Sequence, residues 1–72
     1  MTIDDLAHEL KRAYLAAGDN EKVVKIHLFG IKFAQEIDGK PCKEIAIRAG
    51  VSESYGTEIR KAVNLAKYVT IK

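Results

Sequence analysis

Gly50 stands between two segments whose apolar residues recur every three or four positions, and it limits what this chain can become. Before it lies Lys43-Glu44-Ile45-Ala46-Ile47-Arg48-Ala49, and after it Val51-Ser52-Glu53-Ser54-Tyr55-Gly56-Thr57-Glu58-Ile59-Arg60-Lys61. A glycine at such a junction supplies a backbone conformation that larger residues resist, with positive φ. Ile45 and Ala49 face inward from the first segment, and Ala46 is small where the two segments approach. Val51 fills the corner, Ser52 is placed to cap the second segment, and Ile59 anchors that segment to the same core. Two short helices joined by a tight turn are the predicted outcome. The remaining sequence must then supply a core for them, and 72 residues with a single cysteine allow no internal disulfide. His8, His27 and Cys42 match no zinc spacing, so no metal or cofactor is expected. An apolar content of 47% is that of a globular chain.

The rest of the chain reads as helices in support. Thr2 and Asp5 resemble a capping box, and Leu6, Leu10, Ala13, Tyr14 and Ala17 then recur at helical spacing up to Gly18. From Lys22 to Ile37 a broad apolar stripe (Val23, Ile26, Phe29, Phe33, Ile37) predicts one buried helix ending at Asp38-Gly39. Gly30 inside it implies a neighbouring helix crossing at that point. Phe29 and Phe33 are read as core. Pro41 opens a third helix, Cys42 to Ala49. The fourth, 53–66, carries Tyr55, Ile59, Ala62, Val63 and Ala66 on one side. The last residues, 67–72, lose the helical period and suggest a short strand or extended tail. The expected fold is all-α, a compact four-helix domain over residues 1–72 with a possible short C-terminal strand.

Net charge is only +2, but it is unevenly divided. Up to Gly39 there are five bases against seven acids, and from Lys40 onward seven bases against three acids. The positive half is the half with the glycine corner, which suits a phosphate-bearing partner. The chain start lacks the basic region of a signal peptide, and lysines interrupt every apolar run, so a cytoplasmic location without membrane insertion is expected.

Ile45-Ala46-Ile47-Arg48-Ala49-Gly50-Val51-Ser52 resembles the DNA-binding helix-turn-helix of bacterial and phage regulators. The whole chain is similar to the small stand-alone proteins of that type encoded in bacterial and prophage genomes. The resemblance implies a transcriptional regulator that places helix 53–66 in the major groove of double-stranded DNA. It carries the DNA-reading positions to Ser52, Glu53, Ser54, Thr57, Glu58 and Lys61. Ser54 and Thr57 would meet bases or phosphates, and Glu58 would accept from a cytosine amino group. Arg60, Lys61 and Lys43 would reach phosphates. Two positions depart from the pattern. Gly56 stands where a bulky aliphatic residue is usual, so either Tyr55 turns inward or Gly56 admits a close neighbour. Ile47 is apolar where the family exposes its surface, and would pack on the long second helix or on another subunit.

A module this small makes few base contacts, so a homodimer on two half-sites is expected, with Val23 to Phe33 and the tail from Tyr68 to Ile71 as candidate interfaces. The competing class is a protein-interaction module that uses the hairpin as scaffold, with Ile47, Tyr55 and Tyr68 in contact. DNA binding requires most of Lys43, Arg48, Arg60 and Lys61 to form one positive face. An enzyme is not expected, because the sequence has no phosphate loop, paired carboxylates or nucleophile elbow. His27 reads as a surface or half-buried side chain. Cys42 sits at a helix start, where a thiol's pKa can fall, although most lone cysteines act as small apolar residues.

Overall fold

Thr2 and Asp5 start the first helix as their spacing predicts. In the computed structural model, which describes residues 1–69, Asp5 N–H donates to Thr2 Oγ1 at 3.1 Å and Thr2 N–H donates to Asp5 Oδ2 at 3.0 Å. This reciprocal pair satisfies two backbone donors that have no partner inside the helix, and it holds the Asp5 carboxyl below its ordinary range. Helix α1 (Ile3–Ala16) buries Leu6, Ala7 and Leu10. It stops with Ala17 in an extended conformation, one residue before the glycine expected to end it.

The single helix expected from Lys22 to Ile37 is two. Helix α2 (Lys22–Lys32) ends at Phe33, whose φ of −106° and ψ of 22° leave the helical region, and α3 (Ala34–Ile37) begins at once. Hydrogen bonds from Phe33 N–H to Phe29 O and from Ile37 N–H to Phe33 O span the break. The break reconciles two burial demands. Ile26 and Phe29 face the core from α2, while Ile37 must also reach complete burial after the chain has turned toward the next helix. A one-residue break preserves the apolar period, which is why the pattern did not disclose it.

Gly39, with φ of 78°, closes α3, and Pro41 leads into α4 (Cys42–Ala49). Gly50 then takes the left-handed conformation expected of it, with φ of 80°. Gly50 N–H donates to Ile47 O and Val51 N–H to Ala46 O, the paired bonds of a Schellman turn. Helix α5 (Tyr55–Leu65) completes a five-helix, all-α fold rather than the four helices expected. Tyr68 N–H donates to Leu65 O in a closing turn. No strand occurs among the described residues, and the proposed tail strand falls partly on residues 70–72, outside them.

Helix α5 packs most extensively on α2, while α4 packs on α1 and on α5. Leu6, Leu10, Ile26, Ile37, Ile45 and Ile59 are fully enclosed, and no polar side chain is buried among the described residues. The α2–α5 crossing occurs at Gly30, as its place in the sequence implied. A β-carbon there would lie 2.5 Å from Ala62 Cβ and 3.1 Å from Ile59 O. No helix among the described residues is long and apolar enough to cross a membrane.

Gly30→Ala is therefore expected to destabilise the fold by about 1–3 kcal/mol despite alanine's better helix propensity. Adding Ala62→Gly should recover part of that loss. Urea midpoints of the two variants check this, and an unchanged midpoint for Gly30→Ala would mean that the two helices are not in contact at this point.

Candidate nucleic-acid interface

The turn after Gly50 decides which residues of α5 reach solvent. Val51 packs against the core and pins the corner. Tyr55 N–H, Gly56 N–H and Thr57 N–H donate to the carbonyls of Ser52, Glu53 and Ser54, three residues back in each case. This tight lead-in delays the helix to Tyr55, two residues later than expected. Ser52 acts within the lead-in rather than as the helix cap, since its Oγ accepts from Ser54 N–H at 3.3 Å and meets Ser54 Oγ at 2.9 Å.

Gly56 answers the first departure from the helix-turn-helix pattern. A β-carbon there would come within 2.8 Å of Lys43 Cα and 2.9 Å of Lys43 N. The absent side chain therefore admits the start of α4 against the start of α5. Tyr55 lies half-buried, its ring 5.9 Å from that of Tyr14 and tilted by 59°. Ile47 is 47% exposed on α4.

Successive helical residues rotate by about 100°. With Gly56, Ile59 and Ala62 committed inward, Thr57, Arg60, Lys61 and Asn64 share the outward side, and exposed Ser52, Glu53 and Ser54 lead into it. Lys43 stands beside this leading turn, its Nζ 3.7 Å from Glu53 Oε2. Arg60 reaches back to the Lys40 carbonyl at 3.3 Å. Lys43 thus flanks the exposed start of α5, and Arg60 and Lys61 continue the outward side more than a turn further along. Arg48 is not part of that group, because it turns toward α1 and pairs with Asp4 at 3.0 Å and Glu44 at 2.9 Å.

Glu58 sits at the edge of the outward face. Its carboxylate meets His27 Nε2 at 2.9 Å and Lys61 Nζ at 3.3 Å, and its side chain is only 26% exposed. Those two contacts, His27 first, hold its pKa below the ordinary value. The carboxylate bridges α2 and α5 and does not project outward. Asn64 was missed in the sequence, yet it lies two turns beyond Thr57, so the helical period alone places it on the same face. Cys42 is buried where α4 meets α5, and burial raises its thiol pKa despite nearby Arg60, the opposite of an activated thiol.

A helix, a left-handed glycine corner and a second helix with an exposed polar leading turn define a helix-turn-helix protein. The chain belongs to the HTH-like domain family, whose model matches residues 2–72. No curated protein and no solved structure matches the chain.

The pH dependence of stability carries the mark of Glu58. Because its folded pKa is depressed, its contribution is complete above the ordinary value of 4.5 and is lost as pH falls through the folded value. Glu58→Gln should therefore show a smaller fall in melting temperature than the parent between about pH 6 and about pH 3. Parallel curves for the two proteins would contradict the α2–α5 bridge.

Proposed function

We propose that this protein binds double-stranded DNA through α5 and regulates transcription by occupying its site, as a homodimer on two half-sites and without catalysis. The observation that carries the proposal is the exposed leading turn of α5, with Ser54, Thr57 and Lys61 outward and Lys43 and Arg60 on its flanks. Ser54 and Thr57 offer short hydroxyls that reach base edges or phosphate oxygens without steric demand. Lys43, Arg60 and Lys61 supply the phosphate contacts that fix the helix in the groove. Ser52 and Glu53 lie at the mouth of the groove, where Glu53 reduces the pull of Lys43 on phosphate until DNA displaces it. Glu58 orients Lys61 in this scheme, because its own oxygens are occupied. Two copies on neighbouring half-sites supply the affinity that one small module lacks.

Selection from random duplexes at controlled salt tests the proposal, since it returns a motif and the spacing between half-sites. Arg60→Ala with Lys61→Ala should weaken binding to every sequence and reduce the slope of log affinity against log salt by about 2, the loss of two phosphate contacts. Ser54→Ala and Thr57→Ala should instead change which sequences are preferred. Absence of any enriched motif, or an unchanged salt slope in the double variant, would refute groove reading by α5.

A further inference from the structure

Helix α2 departs from the ordinary pattern of a surface helix, which turns polar residues away from the core. Its buried side holds Ile26, Phe29 and Gly30, and the opposite side holds Val24, Leu28 and Ile31. Their spacing of four and then three residues sets them in one row. Val24 is 53% exposed and Leu28 39%. Leu28 of this row also lines a groove of about 780 Å³ between α1 and α2, whose apolar surface includes Leu15, Phe29 and Phe33. Leu15, on the α1 side, is 69% exposed. The rim is cationic, with Arg12, Lys25 and Lys32 against one acid, Glu9. Glu9 already pairs with Arg12 at 3.4 Å, and neither Lys25 nor Lys32 has an ion pair among the described residues.

We propose that this groove docks an amphipathic helix of another protein, one whose apolar row is flanked by glutamate or aspartate. An apolar groove of this form accepts a helix that offers anchors at three- and four-residue spacing. Lys25 and Lys32 select the acidic flanks. The same two lysines argue against a second copy of this chain. An antiparallel pairing centred on Leu28 sets Lys25 of one copy beside Lys32 of the other, a like-charge contact. A lipid surface meets the exposed crest of α2 but leaves the groove floor unfilled. The inference does not depend on DNA binding. The groove is lined by α1, α2 and Phe33, so it shares no residue with the outward side of α5.

The test uses the full chain and two synthetic amphipathic peptides of about 18 residues, about five helical turns, alike except that one carries Glu and the other Lys beside the leucine row. In fluorescence anisotropy the Glu peptide should bind at least about tenfold more tightly than the Lys peptide, with affinity falling as salt rises. Leu28→Ser should weaken it by about tenfold or more while an unchanged melting temperature shows that the fold persists. Lys25→Glu with Lys32→Glu should reverse the preference between the peptides. Equal binding of both peptides, or binding of neither, would overturn the proposal. So would a dimer in sedimentation that Leu28→Ser abolishes, which assigns the face to a second copy. Sedimentation with phosphatidylserine vesicles that Leu28→Ser abolishes would assign it to lipid. DNA affinity of the Leu28→Ser variant, measured alongside, reports on α5 separately.

Discussion

Helices α2 and α5 meet where neither carries more than a methyl group. Gly30 leaves room for Ala62, and the carbonyl of Ile59 lies close by. At this separation the two backbones are in direct contact, and no rotamer change absorbs a shift of one helix against the other. A second close approach, Gly56 against the backbone of Lys43, fixes the other end of α5 to the start of α4. With both inner contacts settled, the rotation of α5 about its own axis is settled too. Thr57, Arg60, Lys61 and Asn64 face outward because Gly56, Ile59 and Ala62 cannot.

Much of this was legible in the sequence, and particular residues show why. Gly50 announced the corner because only a few residue types tolerate the conformation it adopts, and Gly30 announced a crossing because glycine inside a helix otherwise costs stability. Thr2 with Asp5 marked a helix start by local chemistry that needs no tertiary context. The break at Phe33 was not legible, because α3 continues the same apolar period that α2 began. The late start of α5 was not legible either. Ser52 is a good cap by type, and residue type alone does not reveal that its hydroxyl bonds Ser54 ahead of the helix. For the site, the candidate positions came from the helix-turn-helix resemblance, and the helical period adds Asn64 to the same side. The turning away of Arg48 and Glu58 depended on Asp4 and His27, which lie far from them in sequence but adjacent in the fold.

The charge pattern shows how a nearly neutral domain presents a cationic edge. Arg48 is spent on Asp4 and Glu44, and Lys22 lies 4.2 Å from the centre of the Tyr14 ring. Such pairing fixes cations to the body of the molecule. Lys43 and Lys61 keep most of their side-chain surface open, and their acidic neighbours Glu53 and Glu58 hold them near the leading turn of α5. Exposed ion pairs of this kind contribute little to stability and exchange readily for a stronger anion. Their consequence lies in where the positive ends are kept, more than in how tightly the fold is held.

The close seat of Gly56 on Lys43 separates the positions that build the molecule from those free to meet a partner. Gly56, Ile59 and Ala62 share their helix with Thr57, Lys61 and Asn64, and Ser54 stands just before it, yet the two sets do not overlap. The outward set can be rewritten in combination while the inward set is left alone. The same scaffold would then serve a family of variants with different preferences and one common architecture.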